Sequence, residues 1–222
     1  MTQKANHPLT KLRSFDTATV CNAIELLDIR DRTDGFMGFN ISCLFPELGP
    51  MVGYAVTATV RSTVPGSPGT RSGFSKLFTA IEKSPSPTIL IFKDVGPDHH
   101  RSCHFGDMMA TMCKRLGAIG LVTDGGVRDI STVRDLGFHY FAAGATPAHG
   151  NYEIVDSSLS VTVDGALVNP GDLIHADENG VGIFPPDRLS DLLEAAHLVQ
   201  DREAKKIAAL MDPARNPIEL WE

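Results

Sequence analysis

The sequence holds one tryptophan, four cysteines and fewer cations than anions, and each shortage removes a class of protein. With 20 Lys and Arg against 27 Asp and Glu, the net charge is −7. No Lys/Arg cluster offers the basic face through which proteins grip a phosphate backbone, so no nucleic-acid partner is expected. Cys21, Cys43, Cys103 and Cys113 show no paired spacing; a disulfide framework is excluded and a reducing cytoplasm is the expected location. No apolar run approaches the roughly 20 residues of a membrane helix. The opening MTQKANHPLTKLR also lacks the apolar stretch of a secretion signal. There is no internal repeat.

What remains is enough for one good core: 222 residues, 42% of them hydrophobic, expected to fold as a single domain over 1–222. Residues 61–75 (RSTVPGSPGTRSGFS) read as a surface loop. Residues 159–168 alternate and turn at Asp164-Gly165, a hairpin signal. Residues 187–211 carry Leu189, Leu192, Leu193, Ala196, Val199, Ala204, Ile207 and Leu210 at helical spacing. That C-terminal helix is expected to pack on the core or on a neighbouring subunit.

The most informative stretch is Gly106–Asp129, GDMMATMCKRLGAIGLVTDGGVRD, in which 20 residues separate Asp107 from the pair Arg128-Asp129. TILIFKD at 88–94 reads as a buried strand. Gly106-Asp107 opens a helical pattern that Gly117 stops. AIGLVTD is a second buried strand, predicted to end at Asp124 with a turn at Gly125-Gly126. A helix over Ser131–Leu136 and a strand at His139–Ala142 follow. Strand, helix, strand, helix, strand implies right-handed crossovers and a parallel sheet, whose ligands sit beyond the carboxyl ends of the strands. Both acid-bearing corners lie there. Two acids, an arginine and a helix N-terminus would share one small volume, suited to a divalent metal and a small carboxylate.

These residues resemble the RraA-like family, whose enzymes include class II 4-hydroxy-4-methyl-2-oxoglutarate and 4-carboxy-4-hydroxy-2-oxoadipate aldolases that also decarboxylate oxaloacetate. FDTATVCNAIE at 15–25, GYAVTATV at 53–60, FAAGATPAHG at 141–150 and GDLIHADENGVGIFP at 171–185 extend the likeness over roughly residues 10–210. The resemblance implies a layered α/β/β sandwich with a central mixed sheet, like the swivelling phosphohistidine domains. It also implies a homotrimer or homohexamer with its site at a subunit boundary. One family branch resembles regulators of RNA-degradation enzymes. The family pattern adds an acid shortly after the Arg-Asp pair; here Thr132, Val133 and Arg134 stand there, and the next acid is Asp135.

By the same resemblance, Asp129 is the metal ligand, for Mg2+ or Mn2+, and Asp107 reaches the metal through water. Gly106, Asp107, Met108 and Met109 offer main-chain amides to the substrate carboxylate. Arg128 grips a carboxylate or oxyanion, and Arg128 and Asp107 are the candidate catalytic groups. The implied reaction is metal-assisted cleavage of a 2-oxo acid through a pyruvate enolate. Two alternatives stand beside it: another metal-dependent lyase or hydrolase acting on a hydroxy or sugar acid, and a non-catalytic regulator.

Each group also has a plainer reading. Asp129 could cap the helix after it, Arg128 could pair with Asp124, and Asp107 could be a first-turn acid favoured by the helix dipole. His99, His100, Cys103 and His104 match no structural zinc spacing. His149, His175, Asp177 and Asn179 are expected to make structural hydrogen bonds, although the family resemblance lets their loops approach a neighbouring subunit's site. No Lys-Ser/Thr follows Asp124-Gly125-Gly126, so a phosphate loop is not expected.

Overall fold

In the computed structural model, which describes residues 8–62, 66 and 72–221, side-chain alternation along the strands sorts the core into two faces. The strands are β1 (Ser42–Cys43), β2 (Met51–Arg61), β3 (Thr88–Asp94), β4 (Cys103–Phe105), β5 (Ala118–Val127), β6 (His139–Ala145) and β7 (Glu153–Ser157), then β8 (Val161–Val163), β9 (Ala166–Val168), β10 (Leu173–Asp177) and β11 (Gly180–Phe184). The helices are α1 (Pro8–Leu12), α2 (Thr17–Leu26), α3 (Ser72–Lys83), α4 (Asp107–Arg115), α5 (Ile130–Asp135) and α6 (Leu189–Leu210).

Successive side chains of a strand point to opposite faces. Leu90, Phe92, Leu121, Tyr140 and Val60 point to one face, where they pack against Leu77 and Ile81 of α3, Ala110 and Cys113 of α4, and Val133 of α5. Ile89, Ile91, Val122, Phe141 and Ala55 point to the other and meet Val161, Val163, Ala166 and Val168 of the β8–β9 hairpin. The layers are therefore α/β/β. A further cluster joins α1 and α2 to the first half of α6 through Leu12, Val20, Leu192, Ala196 and Val199. Full burial of a Leu, Ile or Phe is worth about 1.5–3 kcal/mol, so these clusters, and not the half-exposed acids at the strand ends, hold the fold.

The main sheet runs β1-β6-β5-β3-β2-β10-β11, with β4 beside β5 and β7 beside β2. β2, β3, β5 and β6 are parallel neighbours, while β1, β7, β10 and β11 pair antiparallel. The long β2 takes β10 at Met51–Tyr54 and β7 at Ala58–Arg61, which bends the mixed sheet toward closure. The β10–β11 and β8–β9 hairpins lie where the sequence places them, the latter turning at Asp164 (φ 44°) and Gly165 (φ 87°).

Two expectations need correction. The strand expected to end at Asp124 continues to Val127, and Gly125-Gly126 is not a turn but an irregular stretch within β5. A Cβ on Gly125 would collide with the His104 ring and Ser102 Oγ, and one on Gly126 would lie 2.6 Å from the Ser102 carbonyl oxygen. The glycines are needed so that β4 can lie against β5. The loop expected over 61–75 gives way to helix at Ser72; its centre falls outside the described residues.

Candidate active site

β4 was not foreseen, and it creates the site. It pairs parallel with the end of β5, Cys103 opposite Gly126 and Phe105 opposite Val127, and the Arg128 amide donates to the Phe105 carbonyl at 2.9 Å. β4 passes directly into Gly106 and α4, so the start of α4 and the residues after β5 emerge side by side. The 20-residue separation between Asp107 and Arg128 is thereby closed in space.

Asp129 adopts the left-handed conformation, φ 57° and ψ 40°, and makes no side-chain cap to α5. Its plain reading as a helix cap is not what the fold uses. Its Oδ2 instead accepts from the Asp107 amide at 3.0 Å, and the Arg128 Nε stands 3.4 Å from the same oxygen. The Asp107 carboxylate folds back and accepts from the Met108 amide at 2.7 Å. The first amides of α4, which lack partners within the helix, are thus already held by two carboxylates of the protein. The Met109 amide has no partner among the described residues. Arg128 does not pair with Asp124, which accepts from Lys93 and from the Asp94 amide. Tyr140 donates to the Arg128 carbonyl at 3.4 Å; burial pushes its phenol well up, so it stays a donor.

Gly106 matters by lacking a side chain. A Cβ there would collide with Asp129 Oδ2 and lie 3.0 Å from Arg128 Nε. The side chains of Arg128 and Asp129 keep 35% and 32% of their exposure, enough to meet a ligand. Gly106, Asp107, Met108, Met109 and Arg128 line one side of a cavity of about 720 Å3. Met108 is 83% exposed, so it is rim and not core. Asp129 and Arg128 also border a shallower recess of about 300 Å3 with Ala145, Thr146 and Pro147.

The residues present fit a divalent cation of one kind. Asp129 Oδ1 has no protein donor among the described residues, and the second acid, Asp107, is hydrogen-bonded to Asp129 through its own amide. No three of His, Cys, Asp or Glu come together to hold a metal among the described residues. The donor set is therefore hard oxygen and sparse, suited to a cation that keeps most of its water.

The histidines of the 99–104 stretch separate. His99 and His100 stack on each other, centroids 4.0 Å apart, while His104 turns into the core. Its Nε2 lies 2.7 Å from Asp94 Oδ2 and its Nδ1 2.6 Å from Thr123 Oγ1. Burial pushes Asp94 up, but the bonds from His104 and the Gly96 amide outweigh it and hold the carboxyl below its ordinary value. His175 is fully buried against Thr17 and the Leu12 carbonyl, and Asp177 accepts from the Thr17 and Asn179 amides. These are structural bonds. His149 reaches the cavity, with its Nδ1 2.6 Å from the Gly150 carbonyl oxygen. Sequence spacing gave no sign of Asp94 or Thr123 beside His104, nor of Phe74, Phe78 and Tyr152 in the cavity wall. Only the β3–β5–β4 pairing and the packing of α3 bring them there.

With this geometry in view, the comparisons are decisive about kinship. Residues 17–183 match the family profile described as RraA-like, Aldolase/RraA, and the chain belongs to that family. A relative from Halalkalibacterium halodurans, provisionally named a 4-hydroxy-4-methyl-2-oxoglutarate aldolase, is 31% identical over 198 residues, covering 87% of this chain and 89% of the relative. DlpA of Legionella pneumophila is 27% identical over 144 residues, 62% of this chain but only 23% of that longer protein. The crystal structure of Streptomyces coelicolor RraAS2, titled an unusual member of the RNase ES inhibitor RraA protein family, superposes with a TM-score of 0.71 at 22% identity. It covers 90% of this chain and 95% of that one and shares the fold. No helix among the described residues is long and apolar enough to cross a membrane.

Proposed function

We propose that this chain is a divalent-cation-dependent carbon–carbon lyase acting on a small 2-oxo acid, by retro-aldol cleavage or by decarboxylation of an oxaloacetate-like substrate. The observation that carries the reading is the meeting of Arg128, Asp129 and the N-terminus of α4: Asp129 accepts the Asp107 amide, and Arg128 lines both the cavity it shares with Gly106–Met109 and the recess it shares with Asp129. Asp129 would hold the cation, with Asp107 acting on it through water. When bound, the cation supplies Lewis-acid polarisation of the 2-oxo group.

The chain's own residues supply the rest. The planar Arg128 guanidinium suits a carboxylate or an enolate oxygen in a paired grip. The unpartnered Met109 amide takes a carboxylate oxygen, and the Met108 amide joins it once the Asp107 side chain swings off it. In the retro-aldol direction the C4 hydroxyl loses its proton, the C3–C4 bond breaks and its electron pair becomes the pyruvate enolate; C3 is then protonated. Asp107, at the mouth of the site, moves that proton through water. No lysine is required. Assembly as a homotrimer or homohexamer belongs to the same reading, and light scattering that finds a strict monomer at micromolar concentration counts against it.

A second reading, a non-catalytic binding protein, is favoured by Thr132 standing where the family pattern carries an acid. Pyruvate release from oxaloacetate and from 4-hydroxy-2-oxo acids, with Mg2+ and with chelator, separates the two. Asp129→Ala should abolish metal-dependent release while far-UV circular dichroism stays unchanged. Chelator-resistant turnover in that variant would remove Asp129 from its role.

A further inference from the structure

The cavity beside Arg128 is lined mostly by apolar and aromatic side chains. Phe74 and Phe78 of α3, Met109 and Met112 of α4, and Tyr152 all line it. The Phe74 and Tyr152 rings meet edge-on with centroids 5.5 Å apart, and Phe74 and Phe78 lie 6.2 Å apart. Among the described residues, Arg128 is the only Lys or Arg that lines the cavity, and His149 lines it as well. His104 is tied to Asp94 and Thr123 by its ring nitrogens.

We infer that the substrate's group distal to the 2-oxo acid is apolar, an aryl or branched alkyl substituent at C4, and not a second carboxylate. This rests on the C–C lyase reading and deepens it. The 2-oxo acid head uses Arg128 and the α4 amides, which leaves no second Lys or Arg among the described lining residues for a charge at the far end. A carboxylate there would be stripped of water against two phenylalanines and a methionine, which is costly without a partner. An aryl ring would extend the Phe74–Phe78–Tyr152 cluster in the edge-to-face manner aromatic groups favour, and methionine walls adapt to its outline. The volume agrees. About 720 Å3 falls in the range of roughly 300–1,000 Å3 that accommodates drug-sized ligands, and a three-carbon head alone leaves most of it empty. Retro-aldol cleavage of such a 4-hydroxy-2-oxo acid removes the C4 hydroxyl proton, breaks C3–C4 to leave the enolate, returns a proton through water to C3, and yields pyruvate and an aryl or branched aldehyde. No oxidant or reductant is needed.

Two measurements test this separately from the lyase reading. Calorimetric titration of the Mg2+-loaded protein with phenylpyruvate and with 2-oxoglutarate reads the pocket without turnover; phenylpyruvate should bind about tenfold tighter or more, and equal or weaker binding overturns the inference. Pyruvate release then compares 4-hydroxy-2-oxo-4-phenylbutanoate with 4-hydroxy-4-methyl-2-oxoglutarate, and the aryl substrate should show the higher kcat/KM. Cleavage of both with the dicarboxylate preferred overturns the inference and leaves the lyase reading standing. Tighter phenylpyruvate binding with no cleavage of either substrate does the reverse. Met112 is 41% exposed, so Met112→Lys should fold normally, and it should lower the aryl-to-dicarboxylate binding ratio about tenfold. An unchanged ratio would remove α4 from the pocket wall and overturn the assignment.

Discussion

The Asp129 carboxylate accepts the Asp107 backbone amide at 3.0 Å, tying the residue after β5 to the first turn of α4. That one bond joins the two corners that the sequence separates by a helix and a strand, and it sets the position of Arg128 between them. Because the acids are partly exposed, substitutions here should affect chemistry more than folding.

Gly106→Ala tests how tightly the corner is built. The backbone at residue 106 is extended, φ −143°, so alanine brings no conformational penalty, only the collision with Asp129 Oδ2. Overpacking of this kind costs about 1–3 kcal/mol. Pyruvate release should fall tenfold or more while the urea midpoint moves modestly; unchanged kinetics would show that Asp129 can shift freely.

Arg128→Lys keeps the charge and loses the planar fork. If the guanidinium grips a carboxylate or enolate oxygen in paired bonds, kcat/KM should drop on the order of tenfold or more. Steady-state kinetics with saturating Mg2+ measures it, and wild-type values would take Arg128 out of the site.

Thr132 lies on the exposed side of α5, three residues past Asp129. A carboxylate there would lie on the first turn of the helix, on the side of Asp129. Residues that order a metal's outer sphere shift affinity or activity by about 10–100-fold. The wild type should therefore be a poor oxaloacetate decarboxylase, and Thr132→Glu a better one. Efficient wild-type turnover with no gain in the variant would assign the role to another acid, Asp135 or one from a neighbouring subunit.

His139, at the start of β6, gives a pH dependence unrelated to catalysis. Burial, and then the charges of Arg13 and Lys114, push its imidazole down from 6.5 to about 4, and its Nδ1 is buried without a partner. The fold binds neutral His139, so this contribution is complete above the unfolded value of 6.5 and is lost as pH falls from there toward 4. Across that window it amounts to roughly 3 kcal/mol. Urea unfolding at pH 7.5 and 4.5 should show a smaller loss on acidification for His139→Gln than for the wild type; equal losses would mean that His139 does not resist protonation.

The sequence by itself determined a good deal. Unbroken apolar runs marked β3 and β5, alternation with an Asp-Gly turn marked the β8–β9 hairpin, and glycine and acid punctuation marked the ends of α4. The spacing from Asp107 to Arg128 told which corners meet, because a helix and a strand of those lengths return the chain to the same sheet edge. What it did not contain is pairing between distant segments. Gly125-Gly126 looks like a turn in one dimension; only the approach of β4 shows that the glycines make room for His104 and Ser102. Asp129 looks like a helix cap until the left-handed backbone aims it at the Asp107 amide. The cavity wall comes from α3, which lies more than 20 residues before α4 in the chain. Periodicity reports which face of an element is buried, not what it is buried against, so the acids and arginine were legible in the sequence while the apolar end of the site was decided by the tertiary structure alone.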